Sequence, residues 1–297
     1  MVLEGSTMKT EFFQGVSTAL VTPFLNGKVN YPMLQQLLKR QMDAGIGSVV
    51  LCGTTGESAT LSDEEKLELF RCAKSYAKDQ LQIIAGTGSN STEHAVWLSK
   101  EAEKCGVDGL LVVSPYYNKA TQDGLLAHYI AVAHAVNLPV ILYNVPSRTG
   151  VDIPVSVYKK LSRIPNIAGV KEASTSIVKI AQIIAACGAD LPVYAGNDDM
   201  IAPVISLGGK GVISVLSNVA PVETRMLTQA ALDGDFDTAG AMQCEMLELI
   251  ELLFCEVNPI PAKAAMKLIG YDCGDCRLPL TRLTPENQNR LETYLGQ

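Results

Sequence analysis

The segment IAGVKEAS, Ile167 to Ser174, sets one ammonium, Lys171, in a run of small and branched apolar residues. An unpaired buried charge is among the costliest things to fold around, so a lysine in such a strand asks for a use. One use is covalent. Apolar surroundings disfavour an ammonium, and a neutral amine is a nucleophile that condenses with a carbonyl to give a Schiff base. Other segments carry residue types that would complement it. Thr54 and Thr55 stand between two glycines in GTTGES, where adjacent hydroxyls and close backbone N–H groups suit a carboxylate or phosphate. Tyr143 and Arg148 share LYNVPSRTG; tyrosine relays protons, and arginine holds a carboxylate by two parallel hydrogen bonds. Tyr116 and Tyr117 are adjacent in SPYYNK. They point different ways, so one could pack while the other faces a site or a neighbouring chain. Each residue alone has a plainer reading: a snorkelling or paired lysine, a glycine-threonine turn capping the next helix, a core tyrosine with a satisfied hydroxyl, a solvated arginine.

Convergence favours the chemical reading, and it depends on the elements that hold these residues. Eight near-continuous apolar runs punctuate the chain: GVSTALVTPF, SVVLCGTTG, QIIAGTG, GLLVVSP, PVILYNVP, IAGVKEAS, PVYAGND and GVISVLSN. Such runs suit parallel strands covered on both faces. Each is followed by an amphipathic stretch. In LSDEEKLELFRCAKSYAKD, Ser62 and Glu65 form a capping box, and Leu67, Phe70 and Cys72 are expected to face inward. STEHAVWLSKEAEKCG closes on Gly106, the usual residue past a helix end. The expected fold is therefore an α/β (β/α)8 TIM barrel. An open doubly wound sheet would show a glycine-rich phosphate loop after its first strand, and none follows TPFLNGK. The barrel is expected over residues 8–233, followed by a short helical extension over 234–297; residues 1–7 read as an added leader before a natural start at Met8. Barrel chemistry sits where strands end, and the lysine, tyrosines, arginine and threonine pair all fall there. Along a strand, faces alternate: Gly169, Lys171 and Ala173 share one, Val170 and Glu172 the other. Lys171 is expected to point into the barrel between two small residues that leave room for an adduct. The residue-level reading is a lysine-dependent enzyme acting on a keto acid whose carboxylate Thr54 and Thr55 hold.

The chain has 297 residues, 47% hydrophobic and 19% charged, with a net charge of −7. This composition excludes global disorder, and the acidic balance does not suit a nucleic-acid surface. No apolar run reaches the length of a membrane span, and the N-terminus lacks a secretory pattern. Eight scattered cysteines read as reduced residues of a cytoplasmic protein. The pair Cys273 and Cys276 in CGDC could be half a zinc site or a redox pair. No second C-x-x-C completes a metal site, and the plainer reading is a reduced turn.

In this order, GTTGE, SPYYNK, YNVPSRTG, GVKEAS, YAGND and GVISV closely resemble the 4-hydroxy-tetrahydrodipicolinate synthase (dihydrodipicolinate synthase) family, within the class I pyruvate-dependent aldolases and lyases. The resemblance runs from about Gly15 to the C-terminus. It implies that pyruvate condenses with Lys171 and that Thr54 and Thr55 hold its carboxylate, with the backbone near Gly196 and Ile213 lining the pocket. The enamine would attack L-aspartate 4-semialdehyde, in diaminopimelate and lysine biosynthesis. Tyr143, Thr55 and Tyr117 would relay protons, Tyr117 coming from a neighbouring subunit, and Arg148 would bind the semialdehyde's carboxylate. No metal or organic cofactor is implied. The family commonly forms homotetramers built as two tight dimers. Positions matching a lysine effector site are Ser58, Ala59, Asn90 and Tyr116. Asp63 and Lys66 stand where lysine-sensitive members have histidines, and His94 where they have a glutamate. Lys66 adds positive charge near a cationic effector and the counter-charge is lost, so feedback by lysine is expected to be weak or absent. Alternatives are another pyruvate aldolase, such as an N-acetylneuraminate lyase or a keto-sugar-acid aldolase, and a non-catalytic barrel with a binding role.

Overall fold

A computed structural model describes residues 12–296. All eight apolar runs form strands: β1 (Gly15–Ala19), β2 (Ser48–Leu51), β3 (Gln82–Gly86), β4 (Gly109–Val113), β5 (Val140–Asn144), β6 (Ile167–Glu172), β7 (Val193–Ala195) and β8 (Gly211–Ser214). Every neighbouring pair is parallel, and β8 pairs back onto β1 to close the barrel. The strands divide the apolar residues into two layers. Val50, Ile84, Leu111, Ile141, Tyr143, Tyr194 and Ile213 fill the interior. A larger layer, with Val49, Leu110, Leu142 and Val170, packs under the helices.

At the floor of the barrel Phe13 stacks on Tyr194, centroids 4.1 Å apart, and the Tyr194 hydroxyl donates to the Phe13 carbonyl at 2.7 Å. This arrangement corrects the expected role of Gly169. A Cβ there would lie 2.8 Å from the Tyr194 ring and 2.9 Å from the Pro192 carbonyl. The glycine makes room for the floor tyrosine, not for an adduct above it.

Two local expectations change. β1 stops at Ala19, well short of Phe24. Phe24–Leu25 instead pairs antiparallel with Lys28–Val29 across Asn26 and Gly27, whose φ values of 51° and 76° are those a tight hairpin turn demands. The helix Asp63–Ala77 carries both halves of the Ser62–Glu65 capping box. Its buried face, however, is Lys66, Leu69, Phe70, Ala73 and Ala77. Leu67 and Cys72 are only partly buried beside the core. Gly106 closes the helix Thr92–Lys104 with φ of 79°, as expected.

After the helix Pro221–Leu232 come four more: Phe236–Glu245, Leu247–Leu253, Ile260–Leu268 and Pro285–Leu295. This C-terminal part folds back onto the barrel mouth. The Lys263 ammonium meets Glu57 Oε1 at 2.6 Å, both side chains almost fully buried. Arg277 donates its own N–H to Glu57 and pairs with Glu65 through its guanidinium. Both cations lie against the Phe24 ring, Lys263 4.2 Å and Arg277 4.3 Å from its centre. Glu57 is the last residue of GTTGE, so the extension anchors the turn that carries Thr54 and Thr55. Among the described residues, no helix is long and apolar enough to cross a membrane. The assignment of residues 1–7 lies outside the described residues.

Candidate active site

The register of β5 and β6 sets Tyr143 directly beside Lys171. Both point inward. Lys171 is 5% exposed, with its Nζ 4.5 Å from the centre of the Tyr143 ring. No hydrogen bond or ion pair among the described residues engages that nitrogen. The opposite face of the same strand is different. Glu172 is 1% exposed and fully engaged. Its carboxylate accepts from Asn144 Nδ2 at 2.8 Å, from the Ser174 N–H at 2.9 Å and from the Tyr158 hydroxyl at 2.9 Å, with Lys179 3.8 Å away. Burial, with the Glu172 charge, pushes the Tyr158 phenol well above its ordinary range and keeps it a donor.

A cavity of about 630 Å³ opens at the strand ends. Thr54, Tyr143 and Arg148 line it, together with Tyr116, Val145 and Asn258. The two threonines differ. Thr54 is half-buried on the cavity wall, whereas Thr55 is 2% exposed and its hydroxyl accepts from Asn258 Nδ2 at 2.9 Å. The N–H groups of both make no hydrogen bond among the described residues, leaving two donors at the turn. Arg148 is exposed on a one-turn helix, Pro146–Thr149, and approaches the Asn258 carbonyl at 3.5 Å. Gly196 and Ile213, like Lys171 and Thr55, are not among the residues that line the cavity. The Gly196 N–H donates to the Glu172 carbonyl at 2.8 Å, and a Cβ on Gly196 would come 2.5 Å from that of Ala173. Ile213 is fully buried in the interior cluster. The adjacent tyrosines do diverge: Tyr116 faces the cavity, while Tyr117 is 88% exposed with φ of 74°.

The same cavity extends over Ser58, Ala59, Asp63, Lys66, Ser89 and His94. Asn90 is not on its wall; its carbonyl accepts from Asn118 Nδ2. His94 Nε2 lies 2.9 Å from Asp63 Oδ2, its Nδ1 lies 3.2 Å from the Ser89 hydroxyl, and Lys66 Nζ lies 3.3 Å from Asp63 Oδ1. Burial pushes the Asp63 carboxyl up, but the His94 hydrogen bond and the Lys66 charge outweigh it and hold the group below the usual range. The cationic and anionic groups of this wall are thus already paired with each other.

Sequence reasoning passed over three residues here. Asn258 lies far beyond the last strand, so a search of strand ends could not reach it. Lys263 sits in a helix with no outward sign of its partner Glu57. Asp198 sits between Asn197 and Asp199 just past a strand end, a polar composition that reads as an ordinary turn. All eight cysteines are free. Burial pushes the Cys273 and Cys276 thiols up to about 12 each, the behaviour of packed thiols rather than reactive ones. Among the described residues no three His, Cys, Asp or Glu side chains converge as metal ligands.

A closed parallel barrel with an unengaged buried lysine against a tyrosine, under a cavity at the strand ends, defines an α/β barrel equipped for amine chemistry. The chain belongs to the Dihydrodipicolinate synthetase family, whose profile matches residues 12–297. It is 46% identical to the 4-hydroxy-tetrahydrodipicolinate synthase of Acetivibrio thermocellus, over 97% of this chain and 98% of that one. Among solved structures, it is similar to the dihydrodipicolinate synthase of Cyanidioschyzon merolae with lysine bound: TM-score 0.93, 42% identity, 96% of this chain and 98% of that one. The chloride-inhibited dihydrodipicolinate synthase of Acinetobacter baumannii, complexed with pyruvate, matches with a TM-score of 0.92 and 40% identity, over 95% of this chain and 98% of that one.

Proposed function

We propose that this chain is a 4-hydroxy-tetrahydrodipicolinate synthase, a lyase that condenses pyruvate with L-aspartate 4-semialdehyde in diaminopimelate and lysine biosynthesis. The observation that carries the reading is Lys171: buried, unengaged and against Tyr143, in a chain whose near-full-length relatives bear that name. The Lys171 nitrogen attacks the keto carbon of pyruvate, the C=N bond forms and water leaves. The N–H groups of Thr54 and Thr55 receive the pyruvate carboxylate, in the manner of an anion nest. Loss of a methyl proton gives the enamine, whose carbon bonds to the semialdehyde's aldehyde carbon. The substrate's own amine then displaces Lys171 from the imine, releasing a cyclic product and the free lysine. Because that imine carries the electrons, the reading calls on no metal or organic cofactor.

Tyr143 is the proton carrier nearest Lys171. Thr55 keeps its own hydroxyl proton to donate, since Asn258 supplies the bond it accepts. Arg148 at the rim holds the semialdehyde's carboxylate. Tyr117 points away from its own chain, which suits donation into a neighbouring subunit's site and a homo-oligomer, a tetramer built as two dimers. The cytoplasm suits such a biosynthetic enzyme with eight free cysteines. Lysine is a weak effector or none, because Asp63, Lys66 and His94 already satisfy one another where an incoming ammonium would need a free carboxylate. The test is turnover of pyruvate with L-aspartate 4-semialdehyde. Product formation supports the reading; turnover only with other aldehydes would favour a different pyruvate aldolase.

A further inference from the structure

The turn GTTGE is bent by more than its glycines. Cys52 and Glu57, both buried, bracket it in left-handed backbone conformations, with φ of 54° and 56°. Residues with side chains rarely adopt that conformation, and they keep it only where the surroundings hold them. We propose that Glu57 is a positioning residue for ligand choice. Clamped by Lys263 and Arg277 of the C-terminal extension, it keeps the Thr54 and Thr55 N–H groups aimed at an anion and so makes Lys171 selective for ketones that carry a carboxylate. The proposal deepens the reading above and rests on the imine chemistry and the anion nest assigned there.

Each polar group of Glu57 is engaged. Oε1 accepts from the Lys263 ammonium at 2.6 Å and Oε2 from the Arg277 N–H at 2.9 Å. The Glu57 carbonyl accepts from the Thr60 N–H at 3.0 Å and from the Thr60 hydroxyl at 3.1 Å. The Glu57 N–H donates to the Thr54 carbonyl at 3.1 Å, and the Ser58 N–H donates to the Gly53 carbonyl at 3.3 Å. The turn therefore closes on its carbonyls and leaves the Thr54 and Thr55 N–H groups as open donors. Its flanks are held as well. The Thr22 hydroxyl donates to the Gly56 carbonyl at 2.7 Å, and the Arg277 guanidinium donates to the Thr60 carbonyl at 2.9 Å. A Cβ on Gly56 would lie 3.0 Å from the Cys52 nitrogen, and one on Gly86 2.2 Å from the Cys52 carbonyl oxygen, so neighbouring backbone packs tightly against the turn.

Donors already aimed at an anion bind it better than donors that must be ordered as it arrives. Glu57 borders the cavity, but both of its oxygens are taken up in holding the turn. Its loss would let the Thr54 and Thr55 N–H groups wander. Pyruvate would feel that change through its carboxylate. A ketone with a methyl group in that place gains nothing from the nest and would lose nothing with it. Ligand choice therefore separates a positioning role from a general loosening of the fold.

Glu57→Gln keeps the side chain's size, deletes its charge and cannot accept from both Lys263 and Arg277. The parent protein and the variant are mixed with pyruvate or, separately, with acetone. Borohydride reduces the imine, and the build-up rate of each adduct on Lys171 is read by mass spectrometry with peptide mapping. The two ketones differ in intrinsic reactivity, but that difference cancels when their rate ratio is compared between the proteins. The pyruvate-to-acetone ratio should fall about tenfold or more in Glu57→Gln, the size of one lost hydrogen bond to a charged group. The acetone rate should stay near that of the parent. A merely structural role would slow both ketones alike and leave the ratio in place, and that result overturns the proposal. Glu57→Asp, which keeps the charge but shortens the reach, should lower the ratio by less. If Glu57→Gln does not fold, Glu57→Asp carries the test, and an unchanged ratio there overturns the proposal too. Failure of the parent to trap pyruvate at all would sink the Schiff-base reading and this inference together. A trapping parent with an unchanged ratio in the variant removes only the inference.

Discussion

Lys171 and Glu172 are neighbours in sequence, both buried, and opposite in what surrounds them. Glu172 faces the helices and has a partner for each of its oxygens. Lys171 faces the barrel and has a tyrosine ring and little else. A charge kept for structure is satisfied, because each unmet buried group costs stability. A charge kept for chemistry is left unmet, because a fully bonded ammonium cannot attack. One strand, through the alternation of its faces, carries both solutions one residue apart.

Substitutions can break this contrast. Lys171→Met should abolish the pyruvate adduct and lower turnover by roughly a thousandfold or more, as loss of a nucleophile does. Its melting temperature should hold or rise, since an apolar side chain replaces an unpaired charge. Tyr143→Phe should slow turnover by about 10²- to 10⁴-fold while still permitting a slowly formed adduct. On the other face the balance reverses. Glu172→Ala leaves the Tyr158 hydroxyl and the Ser174 N–H without their acceptor and should cost about 3 kcal/mol, seen as a melting point lowered by several degrees. Lys263→Met, which strands Glu57, should cost about 3–5 kcal/mol by the same measurement.

Smaller effects sharpen the comparison at the surface. Asp63 and Glu65 are held below the usual carboxylate range, Asp63 by His94 and Lys66 against its burial, Glu65 chiefly by Arg277. Stability from groups with lowered folded-state values is present above their unfolded values and lost as pH falls through the folded ones. The melting temperature should therefore decline below about pH 4, and a flat profile from pH 5 to pH 3 would count against these pairings. L-Lysine at millimolar concentration should leave turnover nearly unchanged. Strong inhibition would show that the Asp63–Lys66–His94 wall opens to admit an ammonium.

The barrel was legible because strands covered on both faces leave continuous apolar runs, and because a capping box marks where the helix Asp63–Ala77 begins and Gly106 where the helix Thr92–Lys104 ends. Lys171 and Tyr143 were legible because a polar residue inside such a run is conspicuous. What stayed hidden depends on pairs distant in sequence. Nothing around Asn258 announces Thr55, and nothing around Lys263 announces Glu57. Gly169 was misread because the ring that needs its space, Tyr194, belongs to the next strand. The inward face of the helix Asp63–Ala77 was misjudged because Lys66, a charged residue, belongs to its buried side, where Asp63 meets its ammonium. The hairpin at Asn26 and Gly27 carried its signal openly, but the apolar run before it was read as one strand.

The central claim is that Lys171 is kept unengaged for covalent chemistry. The most direct test is borohydride reduction of the protein in the presence of pyruvate, followed by peptide mapping. The account predicts one reduced pyruvate unit per chain, carried by the peptide containing Lys171. No mass gain on folded protein, or a gain on a different lysine, would contradict it.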